Sequence, residues 1–128
     1  MSTNENQIRD LLATYERSLN TSDADLAASC YAADGVFMPT TLPTVTGSDM
    51  ADGYRRIFGA IRLDVTFTID ELDVTSDDTA HALTRSNGTQ TVLSTGDESA
   101  ESNREIFLLQ RTNTDGWKIS RYMFNKPE

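Results

Sequence analysis

The feature that most constrains this chain is a change of phase in one alternating segment. Leu63, Val65, Phe67 and Ile69 are separated by Asp64, Thr66, Thr68 and Asp70, the period of a strand with one buried face. The apolar face resumes at Leu72 and Val74, one residue late. One extra residue at Asp70-Glu71 restores it, which is what a β-bulge does, and a bulge also bends its strand and increases the twist. The sheet holding this strand is therefore expected to curl, leaving a cavity between its concave side and the elements packed on it.

Helices supply that cover. Ile8, Leu11, Leu12, Tyr15 and Leu19 fall at helical spacing, with Thr3 or Asn4 as a cap. Ser22-Asp23-Ala24-Asp25 opens a short second helix with Leu26, Ala27 and Cys30 inward, ending near Ala33-Asp34-Gly35. Val36-Phe37-Met38 reads as a strand stopped by Pro39, and a loop to Pro43 precedes a short strand from Thr44 to Thr46. A third helix is expected from Asp49 to Ile61, with a stripe of Met50, Tyr54, Ile57, Phe58 and Ile61.

Long strands complete the pattern. Ser76-Asp77-Asp78 turns into a strand from Thr79 to about Leu93, and the polar tip from Ser94 to Ser99 leads into another from about Glu101. Pairing across the first turn places Ala80, Ala82, Thr84 and Ser86 on the concave side and His81, Leu83, Arg85 and Asn87 on the convex side. Ile106-Phe107-Leu108-Leu109 is apolar on both faces and requires cover on both, the outer one from a second subunit. Thr112 to Gly116 is the last turn and Trp117 to Asn125 the last strand. A final loop of odd length puts Asn103, Glu105, Phe107 and Leu109 on one face with Trp117, Ile119, Arg121, Met123 and Asn125. Glu105 and Arg121 then lie within diagonal reach; a one-residue change of register turns Arg104 inward instead.

With 128 residues, the chain reads as one α+β domain spanning 1–128: three N-terminal helices on a strongly bent antiparallel sheet. Its net charge of -9 opposes binding to nucleic acid or an anionic membrane. Cys30 is the single cysteine, so no intramolecular disulfide forms, and the sequence holds no CxxC, HExxH or histidine cluster for a metal. No glycine-rich phosphate loop follows a strand, so no cofactor is expected. The longest apolar run, Ile106 to Leu109, is far short of the roughly 20 residues that cross a bilayer, and the N-terminus lacks a signal pattern. A cytoplasmic location is expected.

The order of elements, together with Leu19-Asn20-Thr21-Ser22-Asp23, Tyr31-Ala32-Ala33-Asp34-Gly35 and the closing Gly116-Trp117-Lys118-Ile119-Ser120-Arg121-Tyr122-Met123-Phe124-Asn125, resembles the nuclear-transport-factor-two-like superfamily. Within it, the closing segment is most similar to the SgcJ/EcaC group of SnoaL-like proteins, a neighbour of steroid isomerases and polyketide cyclases. The resemblance implies a cystatin-like cone-shaped roll and a homodimer formed through the sheet. Steroid isomerases of this superfamily use a helix-borne tyrosine and a protonated acid as an oxyanion hole, with an aspartate base opposite. Tyr15 matches the tyrosine, but Met38-Pro39 stands where the base is expected, and neither residue accepts a proton.

The candidate ligand contacts are Phe37, Tyr54, Phe58, Ser86, Asn103, Phe107, Met123 and Asn125, and the candidate catalytic groups are Tyr15, Glu105 and Arg121. Three readings follow. The first is proton transfer of isomerase, cyclase or dehydratase type on a small, largely apolar, oxygenated molecule, with Glu105 as base and Tyr15 or Arg121 stabilising negative charge. The second is a non-catalytic binding protein using the same cavity, with Glu105 and Arg121 a structural ion pair and Tyr15 a core residue. In the third, dimerisation itself is the function.

Overall fold

A computed structural model describes residues 3–127. Helix α1 (Thr3–Asn20) buries Ile8, Leu12, Tyr15, Ser18 and Leu19, the expected stripe with Ser18 added and Leu11 only partly buried. The short helix α2 (Ala24–Ser29) is capped by Asp23, whose Oδ1 accepts from the Leu26 amide at 3.0 Å. Then come β1 (Tyr31–Met38), β2 (Val45–Thr46), a 3-10 turn (Gly47–Asp49) and α3 (Met50–Ala60). The remaining chain is four long strands, β3 (Ile61–Val74), β4 (Thr79–Val92), β5 (Glu98–Thr112) and β6 (Gly116–Asn125).

The strands form one sheet in the order β2-β1-β6-β5-β4-β3. It is mixed rather than wholly antiparallel, because β1 lies parallel to β6. The second helix also stops earlier than Ala33. The Cys30 amide closes the helix on Ala27 O, and Cys30 O accepts from the Ile119 amide at 2.8 Å, so Tyr31 is already extended against β6. Tyr31 pairs with Ile119 and Val36 with Arg121, and the chain between them bulges out of the ladder.

The phase slip between Ile69 and Leu72 is a bulge in the structure. Ile69 pairs with Thr84 and Glu71 with Leu83, leaving Asp70 as the extra residue. The guanidinium of Arg85 grips the Asp70 carboxylate through Nε and Nη2, both at 2.8 Å, on the outer side of the bend. Strand β3 is the edge of the sheet, and α1 covers it with side chains that imitate a neighbouring strand. Asn20 Nδ2 donates to Val65 O and Asn20 Oδ1 accepts from the Val65 amide, both at 2.8 Å, while Glu16 Oε1 accepts from the Phe67 amide. Asn20 thereby gives the Leu19-Asn20-Thr21-Ser22-Asp23 motif a mechanical role: it closes an edge that would otherwise template aggregation.

Register sets the core in transverse rows. Leu72, Ala82, Phe107 and Tyr122 make one, and Val74, Ala80, Leu109 and Ile119 the next. The Phe107 and Tyr122 rings stack with centroids 4.2 Å apart, and Phe37 stacks on Tyr122 at 5.3 Å and on Tyr54 at 4.9 Å. Tyr15 meets Tyr54, Phe107 and Tyr122 edge-on.

The last strand departs from the expected alternation. The Thr112–Gly116 pair encloses three residues, so the loop is odd and Ile119 faces inward opposite Leu109. Arg121, however, pairs with Leu108, which makes Ser120 an extra residue and reverses the phase beyond it. Tyr122 and Phe124 turn inward; Arg121, Met123 and Asn125 turn outward. On the convex face Leu83, Ile106, Leu108 and Met123 are neighbours across three strands and remain about two-fifths exposed. No helix among the described residues is long and apolar enough to cross a membrane.

Candidate functional site

A cavity of about 460 Å³ lies between the concave face, α1, α3 and the loop from Pro39 to Leu42. Leu63, Val65 and Phe67 of β3 form one wall, Ile57 and Ala60 of α3 another. Tyr15, Phe37, Tyr54, Tyr122 and Phe124 bring in aromatic faces. The charged and amide side chains of the lining are gathered with Ser86 in one strip, Ser86 and Gln90 on β4, Glu101 and Asn103 on β5, and Lys126 just past β6, while Thr40 and Thr41 line the loop side. Pairing explains the strip: Phe67, Ser86 and Asn103 stand side by side in one row, and Val65, Gly88 and Glu101 in the next. Ser86 is small, so the concave wall stays open there.

The strip is a chain of hydrogen bonds leading into the sheet. Lys126 Nζ lies 2.6 Å from Glu101 Oε2, to which Asn103 Nδ2 also donates at 2.9 Å. Asn103 Nδ2 has a longer contact, 3.4 Å, with Ser86 Oγ. Ser86 Oγ donates to Glu105 Oε2 and Thr84 Oγ1 to Glu105 Oε1, each at 2.5 Å. Both carboxylate oxygens of Glu105 are thus engaged, and Glu105 stands behind Ser86 rather than in the cavity wall. Burial pushes its carboxyl above the ordinary range, against the opposing pull of the two hydroxyls and helped slightly by the charge of Asp70.

That balance has a sign that can be measured. An acid whose folded-state pKa is raised contributes stability that is full below its unfolded pKa and lost as pH rises through the folded one. Glu105→Gln removes the titration. The stability of the variant relative to the native protein should therefore rise with pH from the ordinary glutamate value of about 4 upward, read as the difference between urea midpoints. A constant difference across that range contradicts a raised pKa.

At the deep end, Tyr54 OH lies 2.5 Å from Tyr15 OH and 2.7 Å from Tyr31 OH. All three rings are buried, and burial raises all three phenol pKa values, so the hydroxyls stay protonated at neutral pH. Two bonds among three hydroxyls leave one of the three protons uncommitted. Tyr15, unlike Tyr31, lies in the cavity wall.

The structure thus brings Tyr15, Phe37, Tyr54, Ser86 and Asn103 together around one space. Phe58 and Phe107 are buried beside it in the core, Phe58 against Tyr54 and Phe107 under Tyr122. Arg121 is corrected: the bulge at Ser120 turns it outward, where Nη1 donates to Ser120 O at 2.8 Å and Asp34 O at 3.1 Å, so no Glu105–Arg121 pair exists. The same bulge removes Met123, which is 41% exposed, and Asn125, whose Oδ1 accepts from Arg104 Nε on the outer face. Tyr122, Phe124, Glu101 and Lys126 take their places in the wall, and sequence reasoning missed all four. Among the described residues no three His, Cys, Asp or Glu side chains converge as metal ligands would. The only histidine, His81, is on the convex side with Nε2 2.8 Å from Glu71.

A helix-covered curled sheet enclosing a cavity at its concave face is the architecture of the nuclear-transport-factor-two-like class. The chain belongs to the SnoaL-like domain family, which it matches over residues 1–123. Its fold is similar to that of a ketosteroid isomerase-like protein from Erwinia carotovora atroseptica, at 30% identity and TM-score 0.89, with 94% of each chain covered. A nuclear transport factor 2-like superfamily protein from Salmonella enterica serovar Typhimurium is similar at 19% identity and TM-score 0.85, covering 98% of this chain and 92% of that one. So is a nuclear transport factor 2-like protein with a cystatin-like fold from Novosphingobium aromaticivorans, at 19% identity and TM-score 0.72, covering 98% and 82%. No curated protein sequence matches the chain.

Proposed function

We propose that the protein binds one small, largely apolar, oxygenated molecule in this cavity. The observation that carries the reading is the division of the lining, largely aromatic and aliphatic, with its charged and amide side chains gathered in one strip. A space of about 460 Å³ suits a molecule of two or three fused rings, and such a lining orients it by its polar end. Calorimetric titration with naphthol should give saturable binding of one molecule per chain. The absence of a saturable heat overturns the reading.

The Ser86–Glu105 bond favours a second step, proton transfer of isomerase, cyclase or dehydratase type. Ser86 Oγ takes a proton from the bound molecule while passing its own to Glu105 Oε2, and the Tyr15 hydroxyl, free to donate when Tyr31 donates to Tyr54 and Tyr54 to Tyr15, donates to the oxygen that gains charge. Arg121 has no part in this step. A bicyclic ketone such as tetralone in heavy water tests it: the native protein should speed deuterium uptake beside the carbonyl, and Glu105→Gln should abolish the acceleration. Equal uptake with and without protein leaves binding as the function.

The partner proposed for the convex patch is a second copy of the chain. Leu83, Ile106, Leu108 and Met123 form a contiguous apolar surface edged by Arg85, Asp70, Arg104 and Arg121, a mixture of signs that a two-fold axis can match to itself. Sedimentation should detect a dimer that Ile106→Asp dissociates; a native protein that is monomeric at every concentration contradicts this. The single cysteine, Cys30, a free thiol, fits a reducing, cytoplasmic setting for such a dimer.

A further inference from the structure

Among the described residues, Asn103 Oδ1 is the buried side-chain polar atom left without a hydrogen-bond partner. Buried carbonyl oxygens are nearly always paired, and an unpaired one is costly. Turning the amide over does not relieve it. Nδ2 faces two oxygens, Glu101 Oε2, which has no proton to give, and Ser86 Oγ, whose proton is committed to Glu105. Exchanging N and O would set oxygen against oxygen, so the surroundings fix Oδ1 as a free acceptor. Asn103 belongs to the cavity wall, in the row with Phe67 and Ser86, but Oδ1 itself is covered, so a ligand donor meets it only as the side chain turns toward the space.

Resting on the cavity reading above, we infer that the bound molecule carries a neutral hydrogen-bond donor, a hydroxyl on an otherwise apolar body, which it delivers to Asn103 Oδ1. The chemistry of the strip excludes the alternatives. Glu101, the nearest carboxylate, is already met by Lys126 at 2.6 Å, so it presents no uncompensated negative charge to an ammonium group. A carboxylate, ether or ester oxygen at this position would face another acceptor and leave Oδ1 unpaired. The polar end of the molecule is thereby placed at the Ser86–Asn103 strip, with its apolar body toward Phe37 and Tyr122.

The test uses naphthol and its methyl ether, which differ by a donor, and naphthylamine and its dimethyl derivative as a second such pair. The full-length protein should bind naphthol about ten-fold or more tightly than the ether, with the amine pair ranked in the same order. In Asn103→Leu that ratio should collapse towards one while affinity for the ether is kept or improved. A mere steric clash with the methyl group would survive in the leucine variant, so an unchanged ratio there overturns the inference. Equal binding of donor and methylated probes by the native protein also overturns it, and that comparison stands even if Asn103→Leu fails to fold. If no probe binds the native protein at all, the cavity reading falls, and the inference with it.

Discussion

Gly88→Ala is expected to destabilise the protein by about 3 kcal/mol, the upper end of what overpacking normally costs. A Cβ at Gly88 would sit 1.9 Å from Asp64 O and 2.8 Å from Val65 Cα, both backbone atoms of β3 that no rotamer change can move. Strand β3 must leave its place against β4 to make room, exactly where the cavity wall passes from Val65 to Glu101. A glycine inside a strand often marks such close backbone approach. Gly59 of α3 is the control, since a Cβ there meets nothing within 4 Å. Gly59→Ala should be neutral or stabilising by up to about 1 kcal/mol. Urea unfolding of both variants separates a backbone clash from a general intolerance of alanine.

Phe107→Ala should cost about 3–5 kcal/mol. Its ring is fully buried, stacked on Tyr122 and met edge-on by Tyr15, so its loss leaves a void among rigid aromatic neighbours that cannot close over it. Because Phe107 lies under Tyr122 rather than in the cavity wall, the conservative Phe107→Leu should lose much less stability and leave naphthol affinity within a few-fold of native. Loss of binding in a stably folded Phe107→Leu would place that ring in direct contact with the ligand instead.

How far the site could be read beforehand depends on where alternation was visible. The bulge at Asp70 announced itself because β3 alternates strictly between apolar and polar residues, so one extra residue leaves a mark. The bulge at Ser120 left none. Trp117 and Ile119 before it, and Tyr122 and Phe124 after it, are apolar, but Met123 on the opposite face is apolar too, so the phase reversal is hidden. Arg121, Met123 and Asn125 were misplaced for that single reason. Glu105 was placed correctly on the concave face, since β5 carries no slip between Asn103 and Leu109. Its partners were not legible, because Thr84 and Ser86 reach it across the ladder through side-chain geometry. The parallel contact of β1 with β6 likewise depends on Tyr31 and Cys30 meeting a strand almost ninety residues away. Tyrosine spacing gave no hint that Tyr54 would join Tyr15 and Tyr31 in one hydroxyl chain.

The convex apolar patch is the natural competitor of the cavity for any aromatic probe. Two-dimensional amide NMR during a naphthol titration distinguishes them residue by residue. Saturable shifts at Val65, Phe67, Ser86 and Asn103, with Leu83, Ile106, Leu108 and Met123 unmoved, are the predicted result. Shifts gathered on the convex four, with the concave row silent, would contradict it.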